Sequence, residues 1–422
     1  AILTKLWWRY DGPADHTDQP ERRRMARVAV ERFRHELTTD YLDIVLLHCL
    51  VRPGWDEHMQ PYMDVLSDEK QKGRIRALGC SRRSRHPGGG RVRAREALRS
   101  LCSLGPLVGL VARPEGRPNG VTALVRVKGE AEWLEPSVLS VRDFADEVLV
   151  LDNGAGPETR KTLARLADAL GEHLRLHACP ELDLFAMSNL GLERARYRWI
   201  ARWDADFVGH TSGPGDLRRL REYLLALDRR RFYLVHVPAA ELAGDLRHQF
   251  PDRRLRWDGQ VHVASSRARY ARVECALAPA SLSVPDRILR QGPRLRVALE
   301  SLAVPKHYRV LRWPVVAYFH VDVKPARAAV LRHFWLSWLA EAAGAAVPTL
   351  MAYAERQVRE GWGIADLDDA AQHYMAQYCR GLVAFDAAVC GPYPELLGPC
   401  LDEARYEVVY AAGLPAGRRE AS

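Results

Sequence analysis

A chain of 422 residues, 47% hydrophobic and 27% charged, exceeds one ordinary domain and carries enough apolar content for real cores. Its eight cysteines form no CxxC pair, which argues against a zinc ribbon or a secreted disulfide scaffold and predicts reduced thiols in a cytosol. The formal charge of +9 gathers in residues 82–99, where seven arginines face one glutamate in a Gly/Pro/Arg-rich stretch; this is a linker composition rather than a basic face, so no nucleic-acid partner is expected. No basic-then-apolar leader follows Ala1, so no signal peptide is expected, and the missing Met suggests a fragment.

Residues 1–81 read as alternating strands and helices. Ile2–Leu6 is a short apolar strand, and Glu21–Leu37 has helical spacing through Met25, Val28, Val30, Phe33 and Leu37. Leu42–Leu47 is a continuous apolar run of the kind a buried parallel strand shows. His58–Gly73 is a second helix ended by a glycine, and Arg74–Gly79 a third strand. Such alternation implies βαβ units. Residues 82–119 break the pattern, and the run 82–90, with no strand or helix period, reads as a linker.

A second α/β unit begins at Val121. Strands are expected at Val121–Val127, Glu147–Asp152, Leu174–Ala178 and from Trp199, with helices within 131–145 and at Pro157–Leu170 and Leu184–Arg196. The strand from Trp199 runs into Asp204-Ala205-Asp206. Residues i and i+2 of an extended chain share a side, so this pair can face one ion. Hard oxygen ligands suit Mg²⁺ or Mn²⁺, which also bind a substrate's phosphates. Ligands on open parallel sheets bind beyond the carboxyl ends of the strands, where Asp152 also falls. Three carboxylates near one crevice need a cation. The alternatives are a helix N-cap for Asp152 and a solvated turn for the Asp204/Asp206 pair.

Two resemblances enter. Thr39-Asp40-Tyr41-Leu42-Asp43-Ile44-Val45-Leu46-Leu47-His48 and Lys72-Gly73-Arg74-Ile75-Arg76-Ala77-Leu78-Gly79-Cys80-Ser81 resemble the middle of an aldo-keto reductase barrel, over about residues 1–84. That resemblance matches Lys5 and His48 to two members of the family's catalytic tetrad, while the Asp and Tyr members would lie upstream. Three strands close no eight-stranded barrel, so Lys5 and His48 are expected to be residual, non-catalytic side chains.

The second unit resembles the family 2 glycosyltransferases, with their GT-A fold. The matching pieces are Val125 through Leu134, Val148 through Gly154, Ser188-Asn189-Leu190-Gly191-Leu192 and Arg202-Trp203-Asp204-Ala205-Asp206. The resemblance implies that Glu130 and Asp152 hold the donor nucleotide's base and ribose, and that Asp204 and Asp206 hold the metal on its diphosphate. It departs from the family at Gly129, where Asn is usual, and at Ala155, where Ser is usual.

Residues 208–330 are expected to complete this domain and supply the acceptor side, with a helix at Leu217–Leu227 and a strand at Phe232–Val237. Arg253 through Val263 resembles a family segment ending in Val-His-Glu, with Val263 in place of the Glu. Asp258 and His262 are then the candidates for the acceptor side; the alternative for His262 is a packed strand histidine. His320 is a second candidate for the ion. Arg229-Arg230-Arg231 and Arg253-Arg254 either contact phosphate or form solvated faces.

Residues 324–412 read as mostly helical, with one last strand at 404–411 and a frayed end from Gly413. The apolar stretch Ala326–Ala354 is interrupted by Glu341, Gly344 and Pro348, which makes it a poor membrane span. It packs on the catalytic domain or lies at a membrane surface.

The expectation is an α/β protein: a partial (β/α) barrel fragment over 1–84, a linker over 85–118, a GT-A Rossmann-like nucleotide-sugar domain over 119–325 and a helical extension over 326–422. Its expected function is metal-dependent, inverting transfer of a sugar from a nucleotide-sugar to a glycan, lipid-linked or protein hydroxyl. The expected location is the cytoplasm, with peripheral contact at the inner membrane face. The alternatives are a non-catalytic nucleotide-sugar-binding scaffold and an NADPH-dependent reductase.

Overall fold

The computed structural model describes residues 3–7, 19–48, 55–81, 98–99, 101–114, 116–180, 182–251, 253–277, 295–341, 349–403 and 405–421. The chain divides into two compact units, Ala1–Glu96 and Ala97–Ser422.

In the first unit, β1 (Leu3–Trp7), β2 (Leu42–His48) and β3 (Ile75–Ser81) form a parallel sheet in that order. The helices α1 (Gln19–Glu36) and α2 (Trp55–Gln71) connect them. Ala26, Ala29, Val30 and Phe33 recur at helical spacing on α1 and are buried with Leu42, Val45 and Leu47 of β2. Lys5 and His48 lie on β1 and β2; their side chains fall outside the described residues.

The second unit is built on a nine-stranded mixed sheet. In chain order its first elements are β4 (Val121–Gly129), α3 (Leu134–Ser140), β5 (Glu147–Ala155), α4 (Pro157–Leu170), β6 (Leu174–Ala178), α5 (Leu184–Arg194) and β7 (Trp199–Asp204). Strands β6, β5, β4 and β7 are parallel neighbours. Apolar runs such as Val148–Leu151 are fully buried, as a sheet covered on both faces requires. Pro157 opens α4 where its missing N–H costs nothing, and Asp183 caps α5 through the Ala186 amide at 2.7 Å.

The sheet continues through β8 (Phe207–Gly209), β9 (Phe232–Ala243), β11 (Leu255–Val263), β14 (Tyr308–Arg312) and β15 (Tyr318–Asp322), after helix α6 (Leu217–Ala226). Outward from β7 the order is β11, β9, β15, β8, with β14 beside the first half of β9. The short β10 (His248–Gln249) and a hairpin of β12 (Arg269–Leu277) and β13 (Leu295–Ala303) stand outside it. Strand β9 exceeds the expected end at Val237 because its second half, Ala239–Ala243, gains a new parallel partner in β15.

Helices α7 (Ala326–Glu341), α8 (Leu350–Gln357) and α9 (Leu367–Cys379) bury Val330, Phe334, Tyr353 and Met375 against Ala243 and Phe250. They lie in the same compact unit as the sheet. After the two-residue β16 (Val383–Ala384), β17 (Tyr406–Ala411) and β18 (Leu414–Glu420) form an antiparallel hairpin. The expected frayed end is therefore a strand. Arg418 explains it: its side chain is 2% exposed and bonds the Gly244 and Lys324 carbonyls. Among the described residues no helix is long and apolar enough to cross a membrane.

Candidate active site

The β4 register sets the site. Arg126 pairs with Asp204 of β7, and Val127 pairs with Asp152 of β5. Both acids thus reach the carboxyl end of the sheet, one strand to either side of β4, about 10 Å apart by strand spacing. Successive residues of β4 face opposite sides of the sheet, so Asp152 and Asp204 leave it on opposite faces.

Asp152 holds its own loop. Its Oδ1 accepts from the Gly154 and Ala155 amides at 2.9 and 2.6 Å. It caps no helix, since α4 is capped by Gly156. The neighbouring Asn153, not singled out from sequence, is buried and donates to the Cys179 and Leu182 carbonyls. Glu130 accepts from the Thr159 amide and hydroxyl at 3.0 and 2.9 Å, and these bonds lower its carboxyl pKa. Gly129 has φ +66°, a backbone shape that both Gly and Asn adopt, so its replacement of Asn preserves the turn.

Asp204 is fully engaged. Oδ1 meets Arg126 Nη2 at 2.7 Å and Oδ2 meets Arg202 Nη2 at 3.1 Å. Burial alone would raise this carboxyl, but Arg202 and Arg126 outweigh it and hold it well below the usual range. Arg126 also contacts Glu300 Oε2 at 2.6 Å and the Ser188 hydroxyl at 2.8 Å.

Asp206 belongs to a second cluster. Its Oδ2 lies 3.1 Å from Lys324 Nζ and 3.6 Å from His320 Nε2. Burial opposes ionisation here too, yet Lys324 and His320 bring its pKa to about 2. Lys324 also meets Asp322 at 2.5 Å, and His320 Nδ1 lies 3.9 Å from Glu241, which pairs with Arg256 at 2.5 Å. Burial would deprotonate His320, but Asp206 and Glu241 outweigh it and raise its pKa to about 10.

The donor set does not fit a divalent ion in this arrangement. Both Asp204 oxygens carry guanidinium partners, and Asp206 carries an ammonium and an imidazolium. Among the described residues no group of three or more His, Cys, Asp or Glu side chains is placed to hold a metal. His320 does reach Asp206, as an ion-pair partner rather than as a second ligand.

The acceptor-side candidates separate. His262 is 0% exposed and pairs with Ile200, four residues before Asp204 along β7. Its Nδ1 lies 3.1 Å from the Val263 carbonyl, and burial lowers its pKa to about 4. It is a packed strand histidine at the far end of β7, which corrects its expected place on the acceptor side. Asp258 lies on β11, beside the irregularity between Arg256 and Gly259. The pairing of β11 with β7 reaches Val261, opposite Ala201, three residues after Asp258. The Asp258 side chain lies outside the described residues.

Of the arginine runs, Arg230 pairs with Asp228 and Arg254 with Asp386, both within the chain's own surface. The residues missed from sequence are Arg126, Arg202, Glu241, Glu300 and Lys324. A signal was present: Arg126 and Arg202 interrupt apolar strand runs, and a charge is rarely buried in a strand without a partner.

Residues 122–237 match the model of glycosyl transferase family 2, and residues 1–86 match that of the aldo/keto reductase family. The chain therefore joins a segment similar to glycosyl transferase family 2 to a preceding one similar to the aldo/keto reductase family. A search of curated proteins found no match. Similar solved structures include S. aureus TarS, at 10% identity and TM-score 0.28 over 61% of this chain and 42% of that one. TarS 1–349 in complex with UDP-GlcNAc is 11% identical, with TM-score 0.29 over 71% and 99%. The 4-diphosphocytidyl-2C-methyl-D-erythritol synthase of Anaerococcus prevotii is 9% identical, with TM-score 0.24 over 35% and 71%. The chain thus spans under half of the full TarS chain.

Proposed function

We propose that the second unit transfers a glycosyl group from a nucleotide-sugar to a hydroxyl of a glycan, lipid-linked or protein acceptor on the cytoplasmic side of the membrane, with inversion at the anomeric carbon. One observation carries this reading: within a segment matching glycosyl transferase family 2, acids stand toward the carboxyl ends of β5 and β7 on either side of β4. Open parallel sheets bind nucleotides at such strand ends.

In the reaction the acceptor oxygen attacks the anomeric carbon as the bond to the diphosphate oxygen breaks. The electron pair leaves with the diphosphate and the acceptor proton passes to a base. Glu130 and Asp152 border the nucleotide, and Asp258 is the base. Asp204 and Asp206 organise the cations that face the departing charge. A metal-dependent version of this reading needs Lys324 and His320 to release Asp206 first.

The test is release of nucleoside diphosphate from a panel of nucleotide-sugars, with and without Mn²⁺, beside a thermal-shift screen of the same donors. A donor should be turned over, and Asp206→Ala should abolish its turnover. Stabilisation by a donor without turnover would favour the binding scaffold. Neither stabilisation nor turnover by any donor would defeat both readings.

A further inference from the structure

Lys324 places a cation on Asp206, one of the two acids expected to face a divalent ion. Its Nζ bridges Asp206 of the β7–β8 turn and Asp322 at the end of β15, at 3.1 and 2.5 Å. The three side chains are neither sealed nor free: they are 28%, 22% and 31% exposed. An ammonium has three donors, and among the described residues two of them meet acids here, on a side chain that is partly open.

The backbone under this lysine is pinned twice. Trp133 Nε1 donates to the Val323 carbonyl at 2.7 Å. Arg418 Nη2 donates to the Lys324 carbonyl at 2.5 Å. Two side chains from distant parts of the sequence thus fix the consecutive carbonyls of Val323 and Lys324. Asp206 is fixed as well, because its own carbonyl accepts the Val321 amide at 2.8 Å. A surface lysine making a chance ion pair needs none of this. A charge held ready for a reaction does, since a preorganised group pays no reorganisation when the charge develops.

The wider cluster points the same way. Four permanent cations, Arg126, Arg202, Arg256 and Lys324, face the carboxylates of Asp204, Asp206, Glu241, Glu300 and Asp322. The counter-charge that an acidic pair would draw from a metal is largely supplied by the chain itself.

We infer that Lys324 is a catalytic residue whose ammonium meets the departing diphosphate in place of a divalent cation. This rests on the transferase reading above and names the group that acts there. As the anomeric C–O bond breaks, its electron pair passes to the bridging phosphate oxygen. The third N–H of Lys324 donates to the diphosphate as that charge grows, and the lysine keeps its proton throughout. The proton released by the acceptor goes to the base, so Lys324 neither gains nor loses one.

The experiment is calorimetric titration of EDTA-washed full-length protein with UDP, GDP and ADP, repeated with Mn²⁺, beside donor turnover under both conditions. One nucleoside diphosphate should bind in EDTA, and Mn²⁺ should change its affinity by less than threefold. Lys324→Met should weaken binding at least tenfold and turnover by a larger factor. Lys324→Arg should recover part of each. Since Lys324→Met strands two carboxylates, the double variant Lys324→Met/Asp322→Asn keeps the local balance and should show the same losses. Binding and turnover that appear only with Mn²⁺, and persist in the double variant, would overturn the inference while leaving the transferase reading intact. No binding of any of the three under either condition would overturn both.

Discussion

The Arg126 guanidinium and the Asp204 carboxylate meet at 2.7 Å across adjacent parallel strands, at positions the β4–β7 register pairs directly. The same guanidinium holds Glu300 at 2.6 Å, so one arginine serves two largely buried acids. Replacing it by methionine keeps much of the volume and leaves both acids short of a partner. Breaking a buried pair from one side typically costs about 3–5 kcal/mol. Arg126→Met should therefore lose about that much in denaturant unfolding, and a loss near zero would show that solvent already screens the pair.

His262 gives a pH signature. Its pKa in the folded chain is about 4, because burial disfavours the charged ring, against about 6.5 when unfolded. Below pH 6.5 the unfolded chain takes up a proton that the folded chain refuses. This contribution to stability is whole above pH 6.5 and falls away as the pH drops through about 4. At about 1.4 kcal/mol per unit the full swing is about 3.5 kcal/mol. Phenylalanine at this position does not titrate, so the difference between wild type and His262→Phe should shrink or reverse across that window. A parallel pH dependence of the two proteins would refute the assignment. Donor turnover at pH 7 should change less than threefold, since the ring lies at the far end of β7.

How far the sequence reached follows from the range of each interaction. Local periodicity was enough for α4, whose expected span Pro157–Leu170 is the observed one, and for β6. The Asp204/Asp206 pair was visible because its spacing is local. Its partners were not: Arg126 and Lys324 lie 78 and 118 residues away in sequence, and only strand pairing brings them to the acids. The second half of β9 was missed for the same reason, since β15 supplies its partner from some eighty residues on. His262 misled because a histidine between two valines fits a strand and a site equally well.

Gly259 tests the ground beneath Asp258. A β-carbon there would lie 2.5 Å from the Tyr318 hydroxyl and 2.7 Å from the Val237 carbonyl. The carbonyl belongs to β9 and cannot swing aside, so strand β11 must shift at the point where its register already slips. Overpacking of this kind costs about 1–3 kcal/mol. Gly259→Ala should lower stability by that amount and cut donor turnover, because the displaced strand carries the Asp258 backbone. Full stability with full turnover would show that β11 has slack.

Arg418 links the last strand to the reaction. Its guanidinium, 2% exposed, spans from the Gly244 carbonyl at 3.0 Å to the Lys324 carbonyl at 2.5 Å. Removing it strands two carbonyls, at about 1–3 kcal/mol each before any rearrangement. Arg418→Ala should therefore be strongly destabilised, whereas Arg418→Lys can keep one of the two bonds and fold at lower cost. The functional outcome separates a strut from a positioning residue. If Arg418 only holds β18 in place, Arg418→Lys should turn over donor like wild type at temperatures where it is folded. If it holds Lys324 against the departing diphosphate, kcat should fall several-fold with KM for the donor nearly unchanged, because the lost interaction matures as the bond breaks. The second result is expected from the geometry, and wild-type kinetics in a folded Arg418→Lys would leave Arg418 as a strut alone.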